Sequence, residues 1–151
     1  MRTGLRGVIG IGLLGLAPWA GEARAQFASP QQAVEALYRL YARNGPGFSS
    51  KPAEVRRFLE PGLAGAWLRD ARSEDRKLDY DPFVQGQDYE ISGLSVRQES
   101  VQGDGATVRA QFRNTGRPTT VVYRLVRGPD GWRIRDAVHE GRSLRRILKL
   151  D

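Results

Sequence analysis

An α+β domain, with helices first and an antiparallel meander after them, is the fold class this sequence predicts, and three observations predict it. Apolar residues recur at helical spacing as far as Ala71, the period drops to two from Tyr89 onward, and turn signals cut the second half into four runs. Helices packed on one face of a four-stranded antiparallel sheet, closed by a short C-terminal helix, satisfy all three. A chain of 151 residues is the size of one such domain.

Residues 1–25 stand apart from it. Arg2 and Arg6 precede an apolar run over 8–17, and Ala23-Arg24-Ala25 offers the small-x-small pattern that a signal peptidase needs. The run covers only about half of a ~30 Å hydrocarbon core, so a signal peptide cleaved after Ala25 is expected rather than an anchor. No Cys follows it for lipid attachment, and Arg2 and Arg6 are not adjacent, which favours general secretion over the twin-arginine route. Gly10-Ile11-Gly12-Leu13-Leu14-Gly15 matches a dinucleotide-binding spacing, but it lies inside the segment that is removed, with no strand before it. The expected product is one domain, 26–151, periplasmic or secreted, with no stable membrane insertion.

Ser29-Pro30 is an N-cap followed by proline at the first helical position. Ala33, Val34, Leu37, Tyr38 and Tyr41 then predict a helix over about 30–43, ended by Asn44-Gly45-Pro46-Gly47. Ser50-Lys51-Pro52 reopens a short helix through Leu59. Pro61 starts another that carries Leu63, Ala64, Trp67, Leu68 and Ala71 on its apolar side. Strands are expected near 89–101, 106–114, 119–127 and 131–138. The second alternates Val108, Ala110 and Phe112 against Arg109, Gln111 and Arg113; the fourth alternates Trp132, Ile134 and Val138 against Arg133, Arg135 and Ala137. From Ser143, Leu144, Ile147 and Leu148 fall on one side and Arg145, Arg146 and Lys149 on the other, a short terminal helix.

Composition removes most familiar chemistries. There is no Cys and a single His, His139, so a disulfide framework, a thiolate nucleophile and a zinc or His-pair metal centre are excluded, and no cofactor is expected. The chain carries 24 Lys+Arg against 17 Asp+Glu; loss of residues 1–25 leaves 21 against 16, a net charge of +5. A pI of 10.4 would suggest nucleic acid, but export separates the protein from it. An envelope protein or another anionic ligand is the partner class that remains.

Two groups of residues could carry function. The segment Asp79-Tyr80-Asp81-Pro82-Phe83-Val84-Gln85-Gly86-Gln87-Asp88 interrupts both periodicities. EF-hand spacing fails in it at Phe83 and Val84. Its structural reading has Asp81 opening a turn before Pro82, Phe83 inserted in the core and Asp88 tying the loop to the sheet. Its chemical reading takes Asp81 or Asp88 as a general base near Tyr38, Tyr80 or Tyr123. The second group is the strand arginines Arg109, Arg113, Arg124, Arg133 and Arg135, several of which share the wetter sheet face if the register holds. His139 beside Glu140 has no G-x-S-x-G nucleophile to serve. Candidate binding residues are therefore Tyr80, Asp81, Phe83, Asp88, Arg109, Arg124 and Arg133.

The order Ala33 to Tyr41, Asp81-Pro82-Phe83 to Gln87-Asp88, Val108-x-Ala110-x-Phe112, Val122-Tyr123-x-Leu125-Val126, Gly131-Trp132-x-Ile134-x-Asp136 and Ser143-Leu144-Arg145 resembles a domain-of-unknown-function family of small exported bacterial envelope proteins of the YbjP-like lipoprotein type. The resemblance implies a cystatin-like or nuclear-transport-factor-2-like cone, a curved sheet wrapping a long helix, and it implies no catalytic residue. This chain departs from the lipoprotein members by lacking an acylated Cys. The function expected is a non-catalytic binding or interaction protein, inhibitors and immunity proteins included. The competing expectation is a small enzyme using a pocket Asp/Tyr pair, Asp88 with Tyr38 or Tyr123, for proton transfer or hydrolysis. N-terminal sequencing of the exported product is expected to begin at Gln26; intact Met1 in a cytosolic fraction would remove the export premise.

Overall fold

The computed structural model describes residues 26–150, so the signal-peptide reading of 1–25 lies outside the described residues. The Ser29 side chain accepts the Gln32 N–H at 3.2 Å and Pro30 takes the first helical position, opening α1, Pro30–Arg39. The helix ends earlier than its apolar spacing suggests. Leu40 and Tyr41 donate to Leu37 and Tyr38 in tightened turns, and Gly47, at φ 70°, donates to the Leu40 carbonyl at 2.9 Å. Tyr41 stays buried just beyond that end. Pro52–Phe58 forms α2 and Pro61–Arg72 forms α3, whose N-cap is the Glu60 carboxylate accepting Gly62 N–H at 3.0 Å and Leu63 N–H at 2.9 Å.

The second half is the expected meander with one strand more. Strands β1 (Ile91–Gln102), β2 (Gly105–Asn114), β3 (Arg117–Gly128), β4 (Gly131–His139) and β5 (Arg142–Ser143) make one antiparallel sheet in chain order. The four strands expected become five because Glu140 and Gly141, at φ 47° and 76°, turn the chain back so that Ser143 pairs with Val138. Two successive positive-φ residues suit a tight hairpin, but Glu at the first is not a signal that sequence reading looks for. The terminal helix α4 is the single turn Leu144–Ile147, capped by the Ser143 hydroxyl.

One register shift decides what the outer face of the sheet carries. Arg124 pairs with Asp136 and Leu125 with Ile134, so Arg135 is an extra, unopposed residue in β4. The alternation expected there breaks at that point: Ala137, not Val138, turns to the core, and is 4% exposed. The core itself fills the space between α1, α3 and the inner face. Phe83 stacks on Trp67 with centroids 5.6 Å apart and 7° between planes, and Val108, Tyr123 and Ile134 are fully buried beside them. Phe83→Ala is expected to cost about 3–5 kcal/mol in urea denaturation, since the void opens among rings that cannot collapse into it.

Candidate binding surfaces

The 79–88 segment is held by its own short-range bonds. Asp81 Oδ1 accepts the Phe83 N–H at 2.9 Å, its carbonyl accepts the Gln85 N–H at 2.8 Å, and Gln85 adopts φ 57° to close the turn. Pro82, Phe83 and Val84 are driven inward as a result. The loop is then pinned from the sheet. Buried Asn114 donates from Nδ2 to the Val84 carbonyl at 2.9 Å and the Asp88 carbonyl at 3.3 Å, and its Oδ1 accepts the Glu90 N–H at 2.9 Å. The sequence marks Asn114 only as the end of an expected strand; its place there, on the buried parity, is the signal that could have found it.

Asp81 Oδ2 accepts a hydrogen bond of 2.5 Å from the Tyr41 hydroxyl. Burial raises the Asp81 carboxyl above the ordinary aspartate value, against the opposing pull of the hydrogen bonds it accepts from Tyr41 and the loop backbone. The Tyr38 hydroxyl donates to the Phe83 carbonyl at 2.9 Å and lies 2.8 Å from the Tyr123 hydroxyl. Burial pushes both phenols far above their usual range, so neither gives up its proton near neutral pH. Asp88 is exposed and does not meet them: its carboxylate makes no hydrogen bond or ion pair among the described residues. The structure thus joins Tyr38 and Tyr123, two of the three tyrosines that the chemical reading named, and leaves exposed Asp88 away from both.

Outside this plug lies an open recess of about 370 Å3 whose lining includes Phe48, Trp67, Asp70, Arg76, Tyr80 and Asp81. Asp70 is committed to the loop, accepting the Lys77 and Leu78 N–H groups at 2.8 and 3.1 Å. The Tyr80 ring lies under the Arg142 guanidinium, 5.6 Å from centroid. Among the described residues no group of three or more His, Cys, Asp or Glu could hold a metal ion.

The strand arginines divide between two places. Arg109 stands on the outer face of β2, opposite Arg97 and Val122, and pairs with Glu99. Arg124 on β3 is 67% exposed, with a guanidinium nitrogen 4.0 Å from the buried Asp136. Arg133 leaves this group: its Nε donates to the Arg56 carbonyl of α2 at 3.0 Å, and Asp130 lies 3.8 Å from Nη2. The His139 ring is engaged through Nδ1 with the Thr120 carbonyl at 2.8 Å.

The architecture is that of an α+β domain presenting one uncovered sheet face. No protein-family model matches the chain, and no curated protein matches it. Among solved structures, it is similar to a chain of the type VI native effector–immunity complex Tae3–Tai3 from Ralstonia pickettii, with a TM-score of 0.58 at 20% identity over 74% of this chain and 95% of that one. A phospholipid-binding protein from Ralstonia solanacearum, solved with a phospholipid, gives a TM-score of 0.39 at 16% identity over 77% of this chain and 68% of that one. The first likeness shows a shared fold.

The Asp81 environment has a pH consequence. A carboxyl whose folded value lies above its unfolded one binds more protons when folded, so its contribution to stability is full below the ordinary aspartate value and lost as pH rises through the raised one. Asp81→Asn removes that dependence. The stability of the variant relative to the natural chain, followed by urea midpoints from acid to neutral pH, is expected to increase with pH; a constant difference would refute the burial of an ionisable carboxyl here.

Proposed function

We propose that this chain is an exported, non-catalytic binding protein, periplasmic or secreted, that holds a protein partner on the outer face of its sheet in the manner of an inhibitor or immunity protein. The observation that carries the reading is β1. This strand of 12 residues pairs with a strand on one side only and is exposed along nearly its whole length, with Ile91 and Val96 partly covered and the Gln98 N–H donating to the Gln31 side chain of α1 at 3.4 Å. Among the described residues, Leu94 and Val101, at 42% and 44% exposure, are the large apolar side chains left in water. An antiparallel sheet ordinarily buries one face of each strand, and long bare edges invite pairing, so a wing of this kind is a surface for a partner to cover.

Arg97 and Arg124 give the outer face beside the Arg109–Glu99 pair its positive character and make the partner's charge acidic. The structural neighbour drawn from an effector–immunity complex supports assembly with another protein. Export rests on the sequence of residues 1–25. No helix among the described residues is long and apolar enough to cross a membrane. The cone of the cystatin-like or nuclear-transport-factor-2-like kind belongs to this same reading.

Affinity capture from an envelope extract tests it. The natural chain is expected to retain a partner that an Arg109→Glu/Arg124→Glu variant loses by about tenfold or more, since reversing charge on an interface face weakens association strongly. Identical partner lists for both proteins would refute the sheet-face reading.

A further inference from the structure

The bulge in β4 has an effect on the outer face that alternation alone would not produce. Ordinarily Arg135 and Asp136 would point to opposite sides of the sheet; with Arg135 as the extra residue, both line the same groove of about 240 Å3, between β3 and α4. Arg124, Arg145 and Arg146 complete its walls. The one carboxylate within is spoken for. Asp136 accepts the Ser143 hydroxyl at 2.7 Å, the Arg145 N–H at 3.0 Å and the Ala137 N–H at 2.9 Å, and draws Arg124 to 4.0 Å. Arg145 is paired with Glu60 at 2.8 Å. Arg135 and Arg146 are exposed, and among the described residues neither guanidinium has an acidic partner.

Three exposed guanidinium groups thus face a groove whose single anion is already fully bonded. The groove is also longer than one oxyanion requires. Arg124 and Arg135 line a second depression of about 450 Å3 that continues over Thr107 and Val126 toward the β1–β2 turn, where Asp104 is paired with Arg127 at 3.2 Å. A phosphate would concentrate its charge at one point, whereas the guanidinium groups here are spread over two adjoining depressions beside Thr107 and Val126, a spacing that suits the side chains of an extended peptide. From this we infer that the trough over the β4 bulge binds an extended acidic peptide segment, two of whose carboxylates pair with Arg124, Arg135 and Arg146. The inference rests on the sheet-face reading and gives its partner a chemistry.

The test measures anisotropy of a fluorescein-labelled peptide of alternating Asp and Glu against the natural chain, its Asn/Gln counterpart, and an Arg135→Glu/Arg146→Glu variant. Neither replaced side chain holds the fold together, so the variant should melt as the natural chain does. The acidic peptide is expected to bind about tenfold or more tightly than the amide peptide, to lose that advantage on the variant, and to weaken with salt. Equal binding to natural chain and variant would overturn the inference, as would displacement of the peptide by an equal concentration of inorganic phosphate. If envelope capture is lost with Arg109→Glu/Arg124→Glu but kept with Arg135→Glu/Arg146→Glu, the sheet-face reading stands and the trough does not. If the trough binds the peptide and no partner is captured, the reverse holds.

Discussion

A chain of two hydroxyls ties the molecule together. Tyr123 on β3 can donate to Tyr38 on α1, and Tyr38 donates to the Phe83 carbonyl in the connecting loop, so helix, sheet and loop meet at one buried polar junction. A phenol buried without a partner costs more than most packing contacts return, which obliges all three segments to meet in one arrangement. The aromatic cluster closes around it: Tyr38 packs on Phe112 at 5.2 Å, and Phe83 stacks on Trp67 at 5.6 Å. Among the described residues every buried side-chain polar atom has a partner.

This arrangement accounts for the division of labour between the two faces of the sheet. The inner face is spent on α1, α3 and the 79–88 plug, whose shape is held by its own carboxylate Asp81 and by the Asn114 amide at the end of β2. Asp81 is held by Tyr41, and Asn114 spans the loop and the start of β1. The outer face over β1 and β2 is left without a packed helix, and exposed Arg97 and Arg124 stand on it. The electrostatics there come from a few residues: Glu99 neutralises Arg109, Asp136 is saturated by hydrogen bonds, and the positive charge that remains gathers about Arg124, Arg135 and Arg146.

Much of the fold is legible residue by residue. Ser29-Pro30 and Pro61 mark helix starts because the cap hydroxyl and the fixed proline φ are local properties, and Val108, Ala110 and Phe112 declare a buried strand face because side-chain direction has a period of two. The loop's structural role is legible in Asp81-Pro82 for the same reason. The candidate site is less so. Arg109 and Arg124 fall where alternation puts them, but Arg133 turns to the α2 carbonyl, and the role of Asn114 depends on a loop nearly thirty residues away in sequence.

Fold class, the order of elements, the loop's turn and the basic surplus follow from the sequence by itself, since they depend on neighbours along the chain and on composition. The β4 bulge, the fifth strand and the side on which Asp136 emerges were settled only in three dimensions. Register is a compromise among strand twist, the packing of Ile134 and Ala137 under the helices, and the hydrogen bonds that Asp136 finds at Ser143 and Arg145. None of those terms is local, and a single inserted residue reverses which face every later side chain meets.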